Sequence, residues 1–304
     1  MSNTSANFRH RIGNAQDLQS VVRTMKAIAA SSIEQYENSV RSLSDYYRVV
    51  ELGLGVCLRA AELAPPEGGL IAAAEASVSG AIVFGSDQGL VGQFNDRVAQ
   101  RALQELQKLP GEVKVWAVGE RVHARLLESG CDPAGQFEVP HSVEGITPLI
   151  GQIQLQTEAL FRTPGVRVAV VHNRPLSGAA YTTSSQLLLP LDSSWRQQLA
   201  AASWPNKALP EVLGELDDTL QALIREYLFI SLYQACAESL ASENASRLAA
   251  MQRADRNIAE MLESLRMTFN RERQRIIDEE LFDVISGFEA LSQTQDRDDV
   301  AGGT

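Results

Sequence analysis

Between Gly214 and Gly287 the chain reads ELDDTLQALIREYLFISLYQACAESLASENASRLAAMQRADRNIAEMLESLRMTFNRERQRIIDEELFDVIS (Glu215–Ser286), with neither glycine nor proline. As one helix this window would run on the order of 110 Å at 1.5 Å per residue. A compact globule of 304 residues is only roughly 50 Å across, so such a helix cannot fit inside it. Its apolar positions show what it does instead. Leu213, Leu216, Leu220, Leu223, Tyr227 and Ile230 alternate at spacings of three and four, and Leu248, Met251, Ile258, Leu262, Leu265 and Phe269 resume the pattern. A seven-residue repeat of this kind is a left-handed coiled-coil seam.

The N-terminal segment supplies a second seam. Phe8, Ile12, Ala15, Leu18, Val22 and Met25 are followed by Tyr36, Val40, Leu43, Tyr47, Val50, Leu54 and Cys57, and the run ends near Pro65-Pro66. Gly13, Gly53 and Gly55 each weaken this helix by about 1 kcal/mol relative to Ala without ending it. The simplest partner for the C-terminal helix is therefore the N-terminal one, antiparallel to it because a middle domain separates the two.

That middle, about Ser77 to Leu191, changes character. Val78–Phe84, Val113–Val118 and Arg167–His172 are short apolar, β-branched runs of the buried-strand type, and amphipathic stretches at Asn95–Lys108, Glu120–Ser129 and Thr147–Phe161 lie between them. Alternating strand and helix predicts a Rossmann-like open α/β domain with a largely parallel sheet, and Tyr181–Leu191 adds an edge strand or hairpin. The expected organisation is an N-terminal coil helix over 1–64, the α/β domain over 75–195, a C-terminal coil helix over 207–291 after a Trp204-Pro205 linker, and a polar, disordered tail over 292–304.

The composition excludes several function classes. With 27 Lys and Arg against 38 Asp and Glu, a net charge of −11, the chain lacks the basic excess of a nucleic-acid binder. No run reaches the roughly 18–20 apolar residues that span a bilayer, so it is not membrane-spanning. Cys57, Cys131 and Cys236 form no Cys-x-x-Cys pair, and free, mostly buried thiols are expected. His10, His123, His141 and His172 show no metal-ligand spacing, so no metal is expected and each reads as a surface or turn residue. The paired acids Asp217-Asp218 and Glu279-Glu280 read as solvated charge. No catalytic constellation emerges.

The segment Gly85-Ser86-Asp87-Gln88-Gly89-Leu90-Val91-Gly92 sits after the first strand and before a helix, where a phosphate-binding turn would lie. It has no Gly-Lys-Ser/Thr ending and no Gly-x-Gly-x-x-Gly spacing, so it reads as a structural strand-to-helix turn and no cofactor is expected. Nor is it a nucleophile elbow, which needs Gly-x-Ser-x-Gly.

If the two helices pair with their linkers at one end, opposed residue numbers sum to about 270. The small-residue windows Ala27–Ser32 and Ala235–Ala245 then face each other, allowing close backbone approach. The same register makes the C-terminal helix project beyond its partner from about Asn270 to Leu291, on the order of 30 Å. This stretch carries Ile276, Ile277, Leu281, Phe282, Val284, Ile285, Phe288 and Leu291. At roughly 1.5–3 kcal/mol each, their burial is worth of order 10 kcal/mol or more, so another protein is expected to enclose them.

Three stretches resemble one family. Arg23-Thr24-Met25-Lys26-Ala27-Ile28-Ala29-Ala30-Ser31 is similar to the Lys/Met/Ala-rich N-terminal run of the gamma subunits, the central rotor shafts, of F-type ATP synthases. SDQGLVGQFN (Ser86–Asn95) resembles that family's Ser-Asp-x-Gly-Leu-x-Gly-x-Phe-Asn turn. ENASRLAAM, FNRERQ and ELFDVISGFEAL within Glu243–Leu291 resemble its C-terminal helix. The resemblance covers about Phe8 to Leu291.

It implies a noncatalytic shaft, standing inside a ring of alternating alpha and beta subunits, with its α/β base and the epsilon subunit on the membrane c-ring at the cytoplasmic face of the cell inner membrane. Met25, Lys26, Arg273, Gln274 and Asp278 then correspond to the collar that meets the catalytic ring, with Arg247 on the helix opposite Met25. Ile276, Ile277, Leu281, Phe282, Ile285 and Phe288 correspond to the shaft tip in its bearing, and Ser86, Asp87, Gly89, Gly92 and Asn95 to a structural turn. Gln88 stands where the family commonly has Arg, and Asp278 where it commonly has Thr. With no cysteine regulatory insert, these departures resemble a bacterial variant subclass, the second ATPase that some bacteria carry. Two other classes stay open on the residues alone: a Rossmann-like nucleotide-binding enzyme and a passive coiled-coil scaffold.

Overall fold

The computed structural model describes the backbone of residues 2–63, 78–163, 165–176, 181–202, 204–205 and 210–301, and their side chains except at 2–5, 62–63 and 287–301. The expected stop at Pro65-Pro66 lies outside the described residues. The chain forms two compact units, Met1–Met25 with Met251–Thr304 and Lys26–Ala250. Both contain parts of α1 (Ser2–Leu63) and α6 (Leu216–Ala301).

The larger unit is built on a five-stranded sheet. Its strands β1 (Val78–Phe84), β2 (Glu112–Val118), β3 (Gly135–Phe137), β4 (Arg167–Pro175) and β5 (Tyr181–Leu189) lie in the order β3-β2-β1-β4-β5. All pairings are parallel except β4 with β5, which is antiparallel. The apolar strand runs are continuous because both faces are covered. On one face Val83, Val115, Ala117 and Val171 pack with Val98, Ala102, Val122 and Leu126 of α2 (Phe94–Leu106) and α3 (Glu120–Glu128). On the other, Ile82, Phe84, Trp116, Val118 and Val170 share a core with α4 (Ile146–Phe161) and with Leu54, Tyr227, Ile230 and Leu240 of the two long helices. The coil is thus one of the layers that cover the sheet.

Within this unit α1 and α6 run antiparallel. Tyr46 Oη donates to Glu226 Oε2 at 2.7 Å, the Tyr47 and Tyr227 rings are 6.3 Å apart, and Gly53 packs against Leu223. In the smaller unit Arg9 stacks on the Phe269 ring, while Gln19 Nε2 and Arg23 Nε both donate to Asp255 Oδ1, at 3.1 and 3.3 Å. The pairing is antiparallel as expected, but displaced by about one turn: Tyr47 faces Tyr227, where the sequence register places a residue near 223.

Several boundaries differ from expectation. Residues 210–215 are not helical, so α6 starts at Leu216 and not at 207, and Leu213, placed in the seam by its spacing, is exposed outside the helix. Pro210 lacks a backbone donor and Gly214 has φ +91°, a conformation that ends helical continuity. At the other end, the tail expected to be disordered from 292 is helical backbone as far as Ala301; no proline or glycine interrupts Ser292–Ala301.

The nine-residue helix α5 (Ser193–Ala201) has no counterpart in the sequence expectation. Asp192 caps it, accepting from Ser194 N and Ser194 Oγ. Trp195 packs 5.0 Å from the Tyr227 ring, and Arg59 of α1 donates to the carbonyls of Ala200 and Ala202 at its C-terminal end. The close approach depends on Gly55, where an added Cβ would lie 2.5 Å from the Leu199 carbonyl oxygen.

Two glycines of α1 should therefore respond oppositely to alanine. Nothing lies within 4 Å of a Cβ at Gly13, so Gly13→Ala gains about 0.5–1 kcal/mol of helix stability. Gly55→Ala must displace α5 and costs about 1–3 kcal/mol. Thermal denaturation followed by circular dichroism should show the midpoint rising in the first and falling in the second.

Candidate functional site

The strand-end turn is stapled from inside. Ser86 N donates to Asn95 Oδ1 at 3.0 Å, Asn95 Nδ2 donates back to Ser86 Oγ at 2.8 Å, and Ser86 Oγ donates to the Gln88 carbonyl at 3.0 Å. Asp87 reaches outward from the turn. Its Oδ1 accepts from Glu120 N and its Oδ2 from Val139 N, each at 2.8 Å, while the Ser86 carbonyl accepts from Arg121 N at 2.9 Å. Free N–H groups at the start of α3 are thus taken by the chain's own carboxylate and carbonyl. One acidic side chain ties the carboxyl ends of β1, β2 and β3 together.

Three glycines make this possible. Gly92 has φ +59°. A Cβ at Gly119, φ +116°, would meet Ser86 backbone at 2.8 Å, and one at Gly85 would meet Val122 at 2.3 Å. Of the expected turn residues, Ser86, Asp87 and Asn95 are brought together by these bonds, and Gly92 supplies the left-handed turn. Gly89 faces open space, and its role stays a proposal. Gly119 and Val139 were not legible as part of the turn, because they lie more than thirty residues along the chain.

Helix α6 closes over the same strand ends. From Ala235 to Ala245 every residue is buried, where an unpartnered polar group is costly, and among the described residues only Ser239 Oγ and Glu243 Oε2 of its side-chain polar atoms are buried without a hydrogen bond. Glu238 accepts from His172 Nε2 at 2.7 Å, from Gln234 Nε2 at 2.8 Å and from Arg174 Nε at 3.2 Å. Burial alone would raise its carboxyl, but the bonds from His172 and Gln234 hold it below the usual carboxylate range. Ser242 Oγ donates to the Asn173 carbonyl at 3.0 Å and Ser246 Oγ to the Val91 carbonyl at 2.5 Å. His172, expected at the surface or in a turn, is buried on β4. Its position in an apolar run was the available signal, since its partner is 66 residues away.

One turn further, Glu243 pairs with Arg247 at 2.5 Å. Burial pushes the Glu243 carboxyl up against the opposing pull of Arg247. Burial and then Glu243 push the Tyr36 hydroxyl up to about 12. Of the cysteines, Cys57 and Cys236 are buried and Cys131 is partly so, all as free thiols.

The expected collar residues stand at two levels. Met25 and Lys26 are half-buried on α1. Arg9 marks the level of Phe269, so Met25 and Arg273, both in the smaller unit, are separated along the coil by roughly 30 Å at 1.5 Å per residue. Arg273, Gln274 and Asp278 are exposed, and Gln274 Nε2 donates to Asp278 Oδ1 at 3.0 Å.

The expected tip exposes apolar side chains set among the acidic residues Asp278, Glu280 and Asp283. By the Arg9 level, α1 runs out opposite a residue near 276, about two turns beyond expectation. Ile276 is half-buried, while Ile277, Leu281, Phe282, Val284 and Ile285 are 46–71% exposed; the Phe288 side chain lies outside the described residues.

The chain matches the ATP synthase family model over residues 4–291. It is 26% identical over 288 residues to an ATP synthase gamma chain of Xanthomonas oryzae pv. oryzae, covering 93% of this chain and 98% of that one. A gamma chain of Nitrosomonas eutropha is 26% identical over 298 residues, covering 95% and 99%. Among solved structures, the fold is similar to a chain of the Euglena gracilis mitochondrial ATP synthase OSCP/F1/c-ring structure, with TM-score 0.63, 18% identity, and coverage of 96% and 95%. It is also similar to a chain of the Tetrahymena thermophila central stalk/c-ring structure, with TM-score 0.54, 20% identity, and coverage of 77% and 99%.

Removing the Asp87 carboxylate strands two backbone donors. Asp87→Ala should cost about 2 kcal/mol, read as a lowered unfolding midpoint, and Asp87→Asn should cost less. Calorimetric titration of the native chain with magnesium ATP should show no binding at the turn.

Proposed function

Because the chain belongs to the ATP synthase family as a noncatalytic, gamma-type subunit, we propose that it is the rotor of a rotary ATPase, carrying torque between the membrane c-ring and the catalytic ring. Its partners in this reading are the alpha and beta subunits around the shaft, and the epsilon subunit and c-ring at its base. It works as a peripheral subunit on the cytoplasmic face of the cell inner membrane. No helix among the described residues is long and apolar enough to cross a membrane.

The observation that carries this reading is the bare apolar end of α6. Ile277, Leu281, Phe282 and Ile285 are 46–68% exposed, which suits a shaft tip turning in an apolar sleeve formed by the alpha and beta ring. Met25 and Lys26 at one level, and Arg273, Gln274 and Asp278 at the other, form the contacts with the catalytic subunits. The strand-end turn of Ser86, Asp87, Gly89, Gly92 and Asn95 is structural, and no residue in it acts on substrate.

Truncation after Asn270 separates a rotor from a passive scaffold. In the reconstituted complex it should impair assembly or the transfer of torque; a truncated complex that pumps like the full-length one would overturn the reading.

The collar contact yields a second test. A shaft that meets equivalent partners in turn needs contacts that guide without locking, since each 1.4 kcal/mol of extra well depth slows escape about tenfold. A second cation beside Lys26 would deepen pairing with carboxylates of the catalytic subunits. Met25→Lys should leave assembly intact and lower ions pumped per ATP hydrolysed by about threefold, the effect of roughly 0.7 kcal/mol on a barrier. Met25→Leu should be nearly silent. Side-by-side hydrolysis and pumping assays in vesicles measure the ratio, and loss of the complex would instead make Met25 a packing residue.

A further inference from the structure

In open α/β sheets the crevice beside the carboxyl ends of the strands, where the strand order reverses, is the habitual ligand site. Here the reversal falls between β1 and β4, because β2 and β3 continue on one side of β1 and β4 and β5 lie on the other. No ligand could enter this crevice without displacing α6. Ser246 bonds to Val91 in the turn after β1, Ser242 bonds to Asn173 near the end of β4, and Glu238 takes donors from His172 and Arg174 of β4. Asn173 is itself fixed from the sheet side, its Nδ2 donating to the Phe94 carbonyl at 3.1 Å and its Oδ1 accepting from Thr183 Oγ1 at 2.7 Å.

Apolar packing against the rest of α6 is not directional, so a helix held by it alone can rotate or slide by small changes of rotamer. Hydrogen bonds weaken steeply with angle and distance. The three bonded positions, Glu238, Ser242 and Ser246, are spaced by four and lie along one stripe of the helix. They also fall on successive turns, so rotation about the axis and translation along it would each break the whole set.

We infer that Glu238, Ser242 and Ser246 are a torque key: positioning residues that lock α6 in angle and height to the β1 and β4 ends, so that turning the α/β domain turns the helix without slip. The inference rests on the rotor reading and adds to it where, within the chain, torque passes from sheet to shaft. The Glu238 carboxylate, held in its charged form by His172 and Gln234, is the strongest tooth.

The test uses the complete reconstituted ATPase in vesicles and compares ions pumped per ATP hydrolysed against an opposing ion gradient. Two key variants are Glu238→Ala and the double Ser242→Ala/Ser246→Ala. Leu240→Ala, which opens a cavity at a buried apolar position of the same segment, serves as the control for simple loss of stability. With the key removed, the ratio should fall by about threefold, equivalent to roughly 0.7 kcal/mol in relative rates, and fall further as the opposing gradient rises. Leu240→Ala should lower the unfolding midpoint at least as much and keep the ratio, and Ser242→Thr in place of Ser242→Ala should restore it.

Wild-type ratios in both key variants, or an equal fall in Leu240→Ala, would overturn the key. If Glu238→Ala does not assemble, the serine pair decides alone, since each serine loses one neutral bond. A wild-type complex that hydrolyses ATP without pumping would instead overturn the rotor reading itself, a result that leaves the ratios of the variants undefined and is thereby distinct.

Discussion

Burial of α6 on all sides from Ala235 to Ala245 is the constraint on which the larger unit depends. A helix covered only by a coiled-coil partner buries a narrow stripe. Covering the rest requires a second layer, and the sheet with α4 supplies it: Ile82, Phe84 and Val170 join Leu54 of α1 and Leu240 of α6 in one core. Coil and α/β domain are therefore not two modules joined by a linker. They share a core, and neither could close without the other.

Such burial also dictates chemistry. An ion costs several kcal/mol to desolvate even after relaxation, and two glutamates lie in this segment. Glu238 is compensated by three donors and stays charged, with its carboxyl below the usual range. Among the described residues Glu243 pairs with Arg247 and its Oε2 has no hydrogen bond; burial pushes its carboxyl up. Similar residues five positions apart thus have their carboxyls shifted in opposite directions, and the strand donors that reach Glu238 have no counterpart at Glu243.

Periodicity made much of this legible. Spacings of three and four identified both seams, and alternating β-branched runs and amphipathic stretches identified the sheet with its helices. What stayed hidden depends on distance along the chain or on shape. Asp87 was visible as a turn residue, but its bonds go 33 and 52 positions away, to Glu120 and Val139. His172 sits in an apolar run whose pattern carries no sign of a buried carboxylate opposite. Leu213 satisfied the heptad spacing and still fell outside the helix, since Pro210 and Gly214 outweigh one apolar position. Gly55 read only as a weak point in α1, whereas its missing Cβ admits α5. The collar residues come from two helices, and spacing within a helix says nothing of level between helices; a register displaced by a turn is enough to misplace every opposed pair.

The two units also differ in the kind of contact they offer, and the difference follows the work proposed for each. Where α6 crosses the strand ends, directional bonds to Glu238, Ser242 and Ser246 fix it in one orientation. Where α6 has outrun α1, Ile277, Leu281, Phe282, Val284 and Ile285 present apolar surface, interleaved with the exposed carboxylates of Asp278, Glu280 and Asp283. Hydrophobic contact scales with area and is indifferent to angle, so a sleeve of similar chemistry would hold such a tip at every angle with comparable strength. A polar tip would have to break and remake hydrogen bonds at each step, with an unsatisfied buried group costing about 1–3 kcal/mol at every intermediate angle. Rigid attachment calls for the first chemistry and free turning for the second, and a single helix carries both because its sequence changes from Ser, Glu and Asn among alanines to Ile, Leu and Phe set among acidic residues along its length.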